Sequence, residues 1–173
     1  MSLRDVLPDS ERPQWTFDPL VRVGPLRFGM SSGEASDALG GIHPCWQEHN
    51  SAWDIACDTY RGVGLKLYFA TNDRLCAVSV DALRGPQVHA GGSAMVGQVP
   101  SELEQWLFER AESREPFTEL FYQPGGEAGS RTLGVVLCVQ RAGDRLVTRP
   151  VFLPTDAMDD VYHHLPSKAW AIF

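Results

Sequence analysis

The chain has 173 residues, 43% hydrophobic and 21% charged, which suits one globular domain or two small halves sharing a core and excludes disorder as the default. Twenty-two acidic residues against fifteen basic ones give a net charge of -7. No basic cluster of four or more occurs, so no nucleic acid and no membrane surface is expected as a partner.

Residues 1–17, MSLRDVLPDSERPQWTF, lack the apolar core of a secretory signal, and no apolar run approaches the ~20 residues of a membrane span. Cytoplasmic placement is the expectation. Residues 1–14 are polar with two prolines and read as a flexible arm. Trp15 to Val23 reads as a short edge strand interrupted by Pro19, and Gly24-Pro25 turns it.

Ser31 and Glu34 have the spacing of a capping box, after which Ala35, Ala38 and Leu39 share one helical face and Gly40-Gly41 ends the helix. Residues 52–60, AWDIACDTY, alternate as a half-buried strand, with Trp53, Ile55 and Cys57 inward and Asp54, Asp58 and Tyr60 toward solvent. Residues 64–80 read as a β-hairpin turning at Thr71-Asn72-Asp73. Lys66 and Tyr68 fall on its polar side.

The second half echoes the first at offsets of 68 to 71. Gly97 matches Gly29, Leu103, Trp106 and Leu107 match Ala35, Ala38 and Leu39, and Asp144-Arg145-Leu146 matches Asp73-Arg74-Leu75. Ser101 and Glu104 offer another capping box, with Pro100 in the first turn. The glycine-rich run after His89 reads as the linker between halves. Thr155 and Asp156 can cap a last helix with Met158, Val161, Tyr162 and Leu165 on one face, and KAWAIF tucks back onto the body. The expectation is an α+β protein of two similar halves, each a helix packed on an antiparallel sheet. The units are 1–14, 15–85, 86–154 and a C-terminal helix and tail at 155–173.

The turn, helix and stop carried by Phe28, Gly29, Met30, Ser31, Leu39 and Gly40 resemble the repeat unit of the β-lactamase-inhibitor-protein and BamE-like group. In the second half Gly97 and the helix spacing persist, while Gln98 and Val99 stand in the Met and Ser positions. The resemblance implies a helix followed by an antiparallel sheet, in tandem, used for binding another protein.

Chemistry-bearing residues concentrate at His43, Cys45, His49, Asp54, Cys57 and Asp58. They lack Cys-x-x-Cys or His-x-x-x-His spacing, so no metal or other cofactor is expected; a Cys45–Cys57 disulfide stays open, free thiols being the simpler reading. His163 and His164 point about 100° apart on a helix and read as a solvated helix end. No local nucleophile motif occurs. The expected function is a non-enzymatic protein-binding module of bacterial type, an inhibitor, immunity or regulatory protein. It would dock a basic or mixed partner on a sheet face carrying Asp54, Asp58, Tyr60, Lys66, Tyr68 and Tyr122. The alternatives are an enzyme with a dispersed or metal site near 43–58, and a self-associating structural protein; monomer and homodimer both remain open.

Overall fold

The computed structural model describes residues 5–114, 117–159 and 165–171. Strands β1 (Gln14–Asp18) and β2 (Arg22–Val23) pair antiparallel, and β3 (Leu26–Arg27) follows past Gly24-Pro25. The Trp15–Val23 stretch is thus a hairpin with Pro19 in its turn, and β1 is an inner strand. Its second neighbour is β8 (Gln87–Ala90), parallel to it, with Gln14 opposite Gln87 and Trp15 opposite Val88. With β9 (Ser93–Ala94) the five-stranded order is β3-β2-β1-β8-β9. Gly91-Gly92 forms the β8–β9 turn, so the run after His89 lies inside a hairpin.

Helix α1 (Ser32–Ala38) carries the full Ser31/Glu34 capping box. Then come β4 (Trp46–Asn50), β5 (Ile55–Tyr60), β6 (Leu65–Ala70) and β7 (Arg74–Val80). After β9, helix α2 (Pro100–Ser113) leads to β10 (Phe121–Tyr122), β11 (Ala128–Ser130), β12 (Val135–Ala142) and β13 (Arg145–Phe152). The two antiparallel meanders meet at β7 and β13, giving one eight-stranded sheet ordered β10-β11-β12-β13-β7-β6-β5-β4. The fold is mixed α+β, mostly sheet.

The Ser101/Glu104 box does not form. Pro100 is the first helical residue and Val99 caps α2 without a side-chain bond, because a proline needs no acceptor for a missing N–H. Helix α3 (Thr155–Met158) starts after Pro154, also without a side-chain cap. Val161, Tyr162, His163 and His164 lie outside the described residues.

Alternation along the strands sends neighbouring residues to opposite faces. Leu65, Leu67, Phe69, Val135 and Leu137 join a core that also holds Ala35, Leu103 and Leu107 from the helices and Val23, Leu26 and Val88 from the smaller sheet. Cys57, Tyr68, Val136 and Cys138 join a second cluster with Leu153, Met158, Leu165 and Trp170. Both faces of the large sheet are therefore covered over much of their extent. Ala169 and Trp170 are buried, so this part of the tail lies against the sheet.

Two glycine turns tie the layers together. Gly29 N donates to Leu75 O (2.9 Å) and Leu75 N to Met30 O (2.8 Å), while Gly97 N donates to Thr148 O and Thr148 N to Gln98 O (both 2.9 Å). Leu146, the sequence match of buried Leu75, is exposed at 42%. Within the stretch expected as a flexible arm, Arg12 is buried. Its guanidinium donates to the carbonyls of Leu7 (2.9 Å), Gly85 (2.6 Å) and Ala82 (2.6 Å).

Candidate functional site

The six residues expected on an open sheet face are dispersed. Asp54 lies in the turn before β5, at φ 49°; the strand starts at Ile55, leaving Trp53 exposed. Thr71 Oγ1 donates to Asp54 Oδ2 (2.8 Å) and His49 Nε2 lies 3.0 Å from Oδ1. These contacts, Thr71 first, hold its carboxyl below the usual range.

Asp58 and Tyr60 are buried, at 2% and 1% exposure, which corrects the expectation that they face solvent. Helix α1 covers them. Ser32 and Ser36, one turn apart, reach the two strand positions: Ser32 Oγ is 2.5 Å from Asp58 Oδ2 and Ser36 Oγ is 3.0 Å from Tyr60 OH. Gln47 Nε2 donates a further bond to Asp58 Oδ1 (2.9 Å). Burial raises the Tyr60 phenol pKa. Tyr68 is likewise buried, on the opposite face in the cluster with Leu165 and Trp170, and burial pushes its phenol far up. Lys66 is half-buried beside a groove near Arg61 and Arg84. Tyr122 is 52% exposed on β10, at the sheet edge opposite β4 and the Asp54 turn.

The 43–58 stretch does not converge. Among the described residues no three His, Cys, Asp or Glu side chains gather as a metal would need. All four cysteines are free thiols, Cys45 exposed and Cys57, Cys76 and Cys138 buried. Cys45 Sγ donates to Thr59 O (3.2 Å). Among the described residues no helix is long and apolar enough to cross a membrane.

Polar and aromatic groups do converge between α2 and β10. Leu103 and Leu107 point into the core, so Glu104 and Phe108, each one residue further on, turn outward and stack one turn apart. Tyr122 OH donates to Glu104 Oε1 (3.1 Å), and this bond raises the phenol pKa. Ser101, Glu104, Gln105, Phe108 and Tyr122 line a recess of about 360 Å³. A second recess, of about 160 Å³, is lined by Pro100, Glu104, Glu127, Ala128, Leu137 and Val139 with Gly125 and Gly126. Glu104 belongs to both, and neither lining contains a Lys or Arg. Glu102, Glu109 and Glu112 add exposed carboxylates along the helix. Arg110 lies over the Trp106 ring, 5.8 Å from its centre.

Of the six expected residues, Tyr122 alone belongs to this face. Glu104 has the spacing of a cap, which hides this role; Phe108, an aromatic residue outside the Leu103/Trp106/Leu107 stripe, is the signal the sequence offers. Comparisons with protein-family models, with curated proteins and with solved structures find no match to this chain.

Proposed function

We propose that this chain is a non-enzymatic protein-binding module that docks a basic partner on its α2–β10 face. The carrying observation is the Glu104 carboxylate, which accepts from Tyr122, lines one recess together with Tyr122 and Phe108, and belongs to a second. A Lys or Arg side chain from a partner would meet a carboxylate flanked by aromatic rings, which combines charge pairing with cation–π attraction. The excess of 22 acidic over 15 basic residues would steer a basic partner toward the surface. Free thiols favour a reducing, intracellular setting.

The same reading takes the β4–β7 and β10–β13 meanders as related halves. Its support is the matched pair of turns, Gly29-Met30 on Leu75 and Gly97-Gln98 on Thr148. The likeness of the first turn and helix to the inhibitor-protein and BamE-like unit fits such a tandem module.

Selection of displayed peptides on the purified protein tests the function. Recovered peptides should be rich in Lys and Arg, bind more weakly as salt rises, and lose about tenfold in affinity on Glu104→Gln or Phe108→Ala. Acidic or apolar peptides binding both variants as well as the parent would overturn the assignment.

A further inference from the structure

The eight-stranded sheet ends on one side at β4, and β5 is its one neighbour among the described residues. The other end strands of the two sheets, β3, β9 and β10, are two residues long, whereas β4 has five. Thr59 O accepts from Cys45 N (2.8 Å), so Thr59, and with it Cys57 and Ile55, turn their backbone groups toward β4. Their register partners there are Trp46, Glu48 and Asn50. Gln47 and His49 alternate with these and therefore point their N–H and C=O groups away from the sheet.

This outer row is unguarded. Edge strands are commonly blunted by proline, lysine or a bulge. The strand β4, WQEHN, contains neither proline nor lysine and keeps its register with β5 from Trp46 to Asn50. Trp46 is 64% exposed. The one carboxylate of the strand, Glu48, accepts from Lys168 Nζ. Lys168 first, and Trp46 after it, hold that carboxyl below the usual range. The charge of Glu48 is thus met within the chain, and the edge offers an aromatic ring beside a closed ion pair.

We propose that β4 pairs antiparallel with β4 of a second copy of this chain, about a two-fold axis through Gln47. Such an axis sets residues of one face opposite each other, so it passes through a residue and not between two. Placed at Glu48, it would oppose two carboxylates directly. Placed at Trp46, it would set Pro44 opposite Glu48; at His49 it would run the strand into the 51–54 turn. Through Gln47, whose backbone groups face outward, it gives two reciprocal bonds and sets each Trp46 opposite the Glu48 of the second copy. The indole then covers the stem and ammonium of the Lys168 that holds that carboxylate. The α2–β10 face borders the opposite end of the same sheet, so the two surfaces are independent.

Sedimentation velocity on the full chain, up to a concentration of about 300 μM, tests the pairing. A reversible monomer–dimer equilibrium with a Kd of about 100 μM or tighter is expected. Added salt should tighten it, because two chains of net charge -7 repel less when screened. Trp46→Ala should weaken it at least about tenfold. His49→Pro, which puts a proline ring on the outer edge and leaves the β4–β5 ladder bonded, should do the same. Mild oxidation in a Cys45→Ser background reads the register. Gln47→Cys, about 5.5 Å from its symmetry mate, should form an intermolecular disulfide, whereas His49→Cys, more than about 13 Å from its own, should not. A chain that stays monomeric, association weakened by salt or unchanged by either edge substitution, or a disulfide at 49 in place of 47 would each overturn the proposal.

Discussion

Ser32 Oγ lies 2.5 Å from Asp58 Oδ2, joining the first turn of α1 to the middle of β5. This bond and its neighbour between Ser36 and Tyr60 place two polar strand residues under a helix. Replacing Ser32 with alanine strips a donor from a buried carboxylate and should cost about 1.5–3 kcal/mol. Ser36→Ala leaves the Tyr60 hydroxyl buried without that partner, at about 1–2 kcal/mol, whereas Ser36→Ala with Tyr60→Phe should recover most of the loss. Urea unfolding of the three variants checks the pattern, and equal losses for the Ser36 single and double variants would contradict it.

Arg12 fastens the N-terminal segment through four carbonyls, three of them in the 82–85 turn. Burial pulls its pKa below the ordinary arginine value, opposed by Asp9 and Asp81. Arg12→Ala should cost about 3 kcal/mol, since it leaves buried acceptors without donors. Arg12→Lys should restore less than half, because an ammonium lacks the planar fork. Proteolysis at low protease would report the same order, with cleavage first appearing near residues 5–13.

Gly64 and Gly40 separate two costs of a side chain at positive φ. Gly40, at φ 80°, has nothing within 4 Å of an added Cβ, whereas at Gly64, φ 68°, it would stand 2.5 Å from Gly85 N. Gly40→Ala should lose about 1–2 kcal/mol from backbone strain alone. Gly64→Ala should lose at least about 1 kcal/mol more, because backbone must move. Equal urea midpoints for the two variants would be inconsistent with this contact.

Burial raises the thiol pKa of Cys57, and that of Cys76 and Cys138 to about 12. At pH 8 a thiol-specific reagent should modify exposed Cys45 quickly and the other three only after unfolding. The folded state holds these protons more tightly than the unfolded chain, whose thiols ionise near pH 8.5. Stability should therefore be unaffected by them below about pH 8.5 and fall as pH rises toward 12. Serial urea titrations between pH 7 and 11 measure the slope.

What could be read from sequence was what lies close in sequence. The Ser31/Glu34 box closes over three residues, and the β6–β7 hairpin alternates around its own turn. Where the structure departs from these expectations, the cause lies far away in sequence. The alternation that puts Asp58 toward solvent carries no sign of its donors, Ser32 on a helix 26 residues upstream and Gln47 on the neighbouring strand. Tyr122 is exposed, yet its partner Glu104 sits 18 residues away. The repeated Asp-Arg-Leu misleads for a subtler reason: Leu75 meets the Gly29 turn, whereas Thr148, two residues beyond Leu146, meets the Gly97 turn. Letters aligned where hydrogen bonds did not.

The parallel pairing of β1 with β8 has a consequence during synthesis. Residues 14–18 leave the ribosome well before residues 87–90, so for that interval the nascent β1 edge lacks its permanent neighbour. An unpaired strand edge is a template for stray pairing with other chains. Closing so long a loop is also slow compared with hairpin formation. Truncation before Gln87 should accordingly yield an insoluble product, and a chaperone that shields nascent strands should raise the yield of the whole chain.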